Sequence, residues 1–183
     1  MAFDKTPVTP MREISWPGLT KFNTLILNVD KRDLGIQTTP LEFANQLFTP
    51  KQETHITVFG SSLGAQLQQQ FTSRPGLELD VCQAFESTDW SYQKTTDLRH
   101  LVKISGSSTF QQVEESIIML IKMEGMAVFY SKLKSLKMIA DDYPLPPPHI
   151  TLYTRNCDSG IGVRSDDELT ALSRAHLKNF LKN

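Results

Sequence analysis

Hydrophobic and polar positions recur along most of this chain at spacings that predict a series of short strands and helices. Strands are predicted where β-branched and aromatic residues cluster or alternate with polar ones, at 22–29, 56–59, 77–85, 101–104 and 150–153, with a strand-rich segment at 128–139. Helices are predicted where apolar residues return every three or four positions, at 41–48, 63–71, 110–124 and from 165 to about 181. The connections are too short for regular parallel crossovers. The pattern therefore predicts an α+β fold with mainly antiparallel sheet.

The composition is that of a globular protein, and it narrows the possible partners. The 183 residues are 39% hydrophobic and 21% charged, which fits a single domain over 1–183. Nineteen Lys and Arg residues against 20 Asp and Glu residues argue against a protein that binds extended duplex DNA through its phosphates. Neither a signal-peptide run nor a membrane-spanning stretch is present, so a cytoplasmic protein without membrane contact is predicted. Cys82 and Cys157 have no paired spacing, and neither a metal site nor a cofactor is predicted.

One short motif occurs twice, once in each half of the chain. It reads His55-Ile56-Thr57-Val58 and His149-Ile150-Thr151-Leu152. Side chains alternate faces along a strand, so each histidine is expected to share a face with its threonine and with the aromatic ring two positions further, Phe59 or Tyr153. A given histidine has this context about once in a hundred cases from ordinary residue usage. Finding it at two of four histidines indicates a shared role.

The residue types of these two strands suit chemistry at a phosphodiester. Two imidazoles that face one cleft can divide proton transfer, one as general base and the other as general acid, because histidine titrates near neutral pH. Threonine hydroxyls can donate to the non-bridging phosphate oxygens without adding charge. His55 and His149 are therefore the candidate catalytic residues, and Thr57 and Thr151 the candidate phosphate-binding residues. The motifs do not say which histidine is the acid. Phe59 and Tyr153 can stack on a base or simply pack.

The two motifs resemble those of the 2H phosphoesterase superfamily, which is named for two histidines in repeated His-aliphatic-Thr/Ser-aliphatic segments. The resemblance spans both halves of the chain, from about Phe22 to Thr154. It implies a bilobal α+β fold in which related lobes each bring one motif, at 55–58 and 149–152, into a central cleft. It also implies a metal-independent phosphodiesterase. Known substrates of the superfamily include RNA 2′,3′-cyclic phosphates, oligonucleotide linkages and cyclic nucleotides. Its members include LigT-type and phage enzymes. The segment 155–183 lies beyond the motif pattern.

Other interpretations of these residues stay open on the sequence alone. Either motif histidine can be a structural core residue, and the whole fold can hold a nucleotide without turning it over. A purely structural protein is a third possibility, against which the duplicated polar strand face argues. His100 is expected at a strand edge and His176 on a solvated C-terminal helix. The turn at 60–64 opens a helix and can bind an anion at its free amides, or be only a turn.

Overall fold

The computed structural model describes residues 7–11, 14–35, 38–107 and 110–177. Over these ranges it contains nine strands, β1 to β9 in chain order: Val8–Thr9, Leu25–Val29, Leu41–Phe43, Gln46–Pro50, Thr54–Phe59, Tyr92–Ser107, Phe110–Lys122, His149–Arg155 and Ser173–His176. The five helices, α1 to α5, are Lys31–Leu34, Ser61–Ser73, Leu77–Glu86, Glu124–Ser135 and Asp166–Leu172. None of these helices is long and apolar enough to cross a membrane.

All strand pairs are antiparallel and belong to one extended arrangement. Strand β6 pairs with β1 and β9 on one side and with β7 on the other, and β7 pairs with β8. The other side of β8 is shared by β4 and β5, which lie one after the other along it. Strands β3 and β2 extend the arrangement from β4 and β5. The predicted α+β class with mainly antiparallel sheet is confirmed.

Each face of the sheet has its own apolar cluster. The main core joins the sheet to helices α2, α3 and α4, and its sheet residues include Leu27, Ile56, Ile117, Met119 and Ile150. A smaller cluster on the other face joins β6 and β7 to the segment around α5 and consists of Leu101, Ile118, Ile161, Val163 and Leu169. Residues that alternate with Ile56 and Ile150 thus point away from the main core.

The predictions for residues 110–124, a helix, and for residues 128–139, a strand-rich segment, are both wrong. The first segment is strand β7 rather than a helix, and the second falls largely in helix α4 rather than a strand. Alternate residues of the apolar run in β7 are buried in the two different clusters, as in any strand covered on both faces. Such a run has no period that separates a strand from a helix. In α4, Met126, Phe129, Tyr130 and Leu133 are buried at helical spacing.

Two further predictions are wrong, one for residues 41–48 and one for residues 77–85, because a local turn and a helical burial pattern decide these structures. Residues 41–48 form the hairpin of β3 and β4 instead of a helix, and its turn residues Ala44 and Asn45 have φ of 53° and 60°. Such a pair of left-handed residues is the turn that a two-residue hairpin needs. Residues 77–85 form helix α3 instead of a strand, since Leu77, Val81 and Phe85 recur every four positions and are buried.

The C-terminal helix begins as predicted but ends early. Ser165 caps α5, and its hydroxyl accepts a hydrogen bond from the Glu168 amide at 3.1 Å. The helix ends at Leu172, and Ser173–His176 form β9 on the free edge of β6. The predicted extension to 181 includes positions outside the described residues.

Candidate active site

Strands β5 and β8 bring the two motifs side by side. The strands pair antiparallel with Ile56 opposite Ile150, and both isoleucines are fully buried in the main core. Continuing this register places His55 opposite Thr151 and Thr57 opposite His149. Residues directly opposite in a sheet point to the same face. The four polar side chains of the motifs therefore share the face that turns away from the main core.

The pairing also sets the spacing of the two histidines. The two histidines are diagonal neighbours on adjacent strands, and the Cα atoms of such pairs lie about 7–8 Å apart. Burial lowers the pKa of His55 most, the Lys51 charge adds to this effect, and a proton on the nearby His149 would lower it further. Two histidine side chains that extend from such neighbouring backbone positions on one face can both donate to or accept from a phosphate group that lies between their rings.

His149 is held rigidly and in one tautomer. Only 7% of the residue is exposed, and Nδ1 donates a hydrogen bond to the Pro147 carbonyl oxygen at 2.8 Å. Because a carbonyl can only accept, Nδ1 carries the proton and Nε2 of the neutral ring carries the lone pair. Burial lowers the pKa of His149, and the Pro147 hydrogen bond opposes that shift. A neutral imidazole with a free Nε2 lone pair has the form of a general base.

His55 lies in a more open and more charged position. It is half-buried, and burial is the main cause that lowers its pKa. The Lys51 ammonium group lowers that pKa further, and the Glu53 carboxylate opposes it. Lys51 is itself fixed, because Nζ donates to the Asp158 carbonyl oxygen and its backbone amide donates to Leu152 at 2.9 Å. The neutral form of His55 is therefore favoured until a negative charge approaches it.

The segment after β8 returns across the face that carries the histidines and covers Thr151. The Ile161 amide donates to the Ser116 hydroxyl at 3.0 Å, which anchors this segment to β7. Gly160 packs on Thr151 so closely that a Cβ there would lie 3.0 Å from Thr151 Cγ2 and 3.1 Å from Oγ1. Gly160 also has a φ of 84°, which favours glycine. The anchored segment thus holds Gly160 against the Thr151 side chain.

The aromatic rings do not share the face of the histidines, contrary to the alternation expected from the sequence. Register shifts occur after both threonines: Thr57 pairs with Ile26 but Phe59 with Leu25, and Thr151 pairs with Ile118 but Tyr153 with Ile117. Each shift is a β-bulge, at Val58 and at Leu152, that reverses the side of the following residue. Phe59 and Tyr153 are therefore buried in the main core, 2% and 3% exposed. Neither ring lies on the face of the histidines, although Phe59 is among the residues that line a cavity beside Thr57.

His100 and His176 lie elsewhere and differ from their expected positions. His100 is on the interior strand β6, where Nε2 lies 2.7 Å from the Glu115 carboxylate and the ring contacts Phe43 and Phe48 edge-on. Glu115 is also paired with Arg155, so the cluster fixes three neighbouring strands together. His176 is on β9 instead of a helix, and its side chain is 53% exposed. His100 is opposite Ile117 and points to the main-core side of the sheet. His176 is opposite Arg99 and so shares the face of Ile118 and Thr151, but it lies three strands away from β8.

A cavity of about 350 Å³ opens beside Thr57, and sequence reasoning did not anticipate most of its wall. It is lined by the turn into α2 and by Lys103, Tyr143, Pro146 and Arg164, but by neither histidine. The turn at 60–64 is a possible anion site from the sequence alone because of its free amides, and Tyr143 precedes the prolines that lead into β8. Lys103 and Arg164 gave no local signal, because only the fold brings them to this position.

Comparison with known protein families, curated proteins and solved structures finds no match for this chain. Within the described ranges, no three His, Cys, Asp or Glu side chains are grouped as ligands for a metal ion.

Proposed function

We propose that this protein is a 2H-type phosphodiesterase that cleaves a small nucleotide or an RNA end without a metal ion. One observation carries the proposal: the pairing of Ile56 with Ile150 puts both histidines and both threonines on one face of adjacent strands. The antiparallel pairing relates the two motifs by a local twofold arrangement. We further propose that this arrangement is the centre of a bilobal, duplicated fold with the cleft between its lobes.

The geometry supports a division of labour between the histidines. His149 Nε2 accepts a proton from the attacking water, whose oxygen forms the new bond to phosphorus. As the bond from phosphorus to the leaving ribose oxygen breaks, protonated His55 donates its proton to that oxygen. The anionic phosphate favours the charged form of His55 and offsets the effect of burial and of Lys51. Thr57 and Thr151 donate hydrogen bonds to the non-bridging oxygens.

A nucleotide-binding module without turnover is the second candidate, and the limited access to His149 favours it. His149 is 7% exposed, and the cavity beside Thr57 is lined by neither histidine. A binding module needs the threonines and the cavity but no proton transfer. A catalyst needs the segment after β8 to admit substrate to His149.

Turnover distinguishes these two functions. Purified protein should be incubated with 2′,3′-cyclic nucleotides, short RNAs and cyclic dinucleotides, with and without EDTA, and the products identified by chromatography. The phosphodiesterase predicts hydrolysis of at least one class at an unchanged rate in EDTA. The binding module predicts saturable binding of a nucleotide with no product. Activity that is lost in EDTA and restored by Mg²⁺ or Zn²⁺ would contradict the two-histidine mechanism.

A further inference from the structure

The cavity beside Thr57 carries a net positive charge that none of the four motif residues supplies. Thr57 and Thr151 already provide hydroxyl donors for the phosphate between the histidines. Lys103 of β6 and Arg164, just before α5, add two cations to the cavity wall. Both side chains belong to exposed residues, so their charges can reach a ligand in the cavity. A second anionic group on the ligand would explain a second set of donors.

Glu168 orients Arg164 and neutralises one of the two positive charges of the cavity wall. The Arg164 guanidinium bonds to the Glu168 carboxylate with Nη2 to Oε1 at 3.0 Å, and the Arg164 amide donates to the same carboxylate at 2.6 Å. Hydrogen bonds from the Arg164 side chain lower the pKa of Glu168 most, and the Lys103 charge adds to that effect. Glu168 is the one carboxylate among the described residues of the wall, so one positive charge remains in excess.

The rest of the wall suits the nucleoside that would connect two phosphates. Tyr143 is half-buried and lines the cavity together with Pro146. An aromatic ring of this kind can stack on any base. The Tyr143 ring lies 6.3 Å from that of Tyr130, whose hydroxyl is fixed by a hydrogen bond to the Val58 carbonyl at 3.0 Å. A volume of about 350 Å³ is at the small end of ligand pockets, which fits one nucleoside unit and not an extended strand.

We infer that the substrate of the proposed phosphodiesterase carries a second phosphate, one nucleoside away from the phosphate that is cleaved, and that Lys103 and Arg164 bind this second phosphate. The inference rests on the proposed function for the position of the reacting phosphate. It names the substrate class as a nucleotide with at least two phosphate groups, in preference to a 2′,3′-cyclic mononucleotide. Tyr143 holds the base between the two phosphates.

Binding of two matched nucleotides tests this inference without requiring turnover. Adenosine 3′-monophosphate and adenosine 3′,5′-bisphosphate differ only by the second phosphate, and calorimetry at low and moderate salt measures both. We expect the bisphosphate to bind at least about tenfold more tightly, the usual effect of a charge-assisted hydrogen bond. Lys103→Met and Arg164→Met should each remove most of that advantage and leave the monophosphate affinity unchanged. Each should also lower the slope of log K against log salt by about one.

A matched variant and a separate readout make the result unambiguous. Lys21→Met removes an exposed cation that is outside the cavity wall and should change neither affinity. Equal affinity for the two nucleotides, or an equal loss for both in Lys103→Met and Arg164→Met, would overturn the inference. A bisphosphate preference that depends on these cations supports it even if no phosphodiester is hydrolysed, in which case the proposed function alone fails. If a phosphodiester is hydrolysed but the bisphosphate does not bind more tightly than the monophosphate, the proposed function stands and this inference fails.

Discussion

Replacing Gly160 with alanine would press a new methyl group onto Thr151. The added Cβ would lie 3.0 Å from Thr151 Cγ2 and 3.1 Å from Oγ1, so the threonine must move by a few tenths of an ångström. The φ of 84° adds backbone strain of about 1–2 kcal/mol for an L-residue. In a protein of this size that strain lowers Tm by about 2–8 °C. If a 1 Å misplacement costs about 100-fold, the displacement of Thr151 should lower kcat/KM by about 4- to 10-fold.

A glycine outside the site offers a matched control. Gly76 has a φ of 91° and open space around its Cβ position, and it does not line the cavity beside Thr57, so Gly76→Ala should lower Tm by a similar amount and leave kcat/KM near its wild-type value. Thermal unfolding and phosphodiester hydrolysis should be measured on both variants. A Gly160→Ala variant that loses Tm but keeps full kcat/KM would refute the claim that Thr151 contacts the reacting phosphate. Two indistinguishable variants would refute the packing argument itself.

Three other predictions follow from the side chains of the site. Thr57→Val and Thr151→Val keep the strand shape and remove one hydroxyl donor each. Each should raise the activation free energy, measured from kcat/KM, by about 1.5–3 kcal/mol and leave Tm unchanged. A kcat/KM equal to that of the wild type would exclude the hydroxyls from the mechanism. Lys51→Met should raise the pKa of His55 and move the alkaline limb of the pH–rate profile to higher pH, whereas Lys51→Arg keeps the charge and should not. If the acid limb moves instead, His55 is the general base. Because burial lowers the pKa of His149, its contribution to stability is complete above about pH 6.5 and is lost as the pH falls towards the lowered pKa. In denaturant titrations, wild type should therefore lose more unfolding free energy on acidification than His149→Gln, and parallel losses would contradict this.

The sequence was informative where a pattern has one structural solution. The two motif strands were predicted because each has a polar face and an aliphatic face over several residues. Helix α2 was predicted by its apolar spacing and by the Arg74-Pro75-Gly76 segment that follows it. Strand alternation was also enough to place each histidine on the face of its threonine.

The errors arose where long-range contacts decide between structures. The apolar run in β7 reads equally as a helix until the second cluster around Ile118 and Val163 is known to cover its other face. The bulges at Val58 and Leu152 depend on the register with β2 and β7, and no local residue pattern announces them. They are the reason that Phe59 and Tyr153 were misplaced.

The wall of the cavity could not be predicted for a related reason. Lys103 and Arg164 are on an exposed strand position and in an irregular segment, and each alone reads as an ordinary solvated charge. Only the return of the chain after β8 across the sheet brings them to the same cavity as Thr57. A single sequence carries motifs within a strand, but it does not reveal which distant charges complete a site.

The most direct test of the central claim is the activity of His55→Ala, His149→Ala and the double variant, each corrected for its folded fraction. If the two histidines act on one phosphate, each single substitution should lower kcat/KM by about 10²–10⁴-fold. The double variant should then lose much less than the product of the two single losses, because the residues act as a unit. Activity per folded molecule that persists in both single variants, together with early unfolding, would show instead that His55 and His149 are structural.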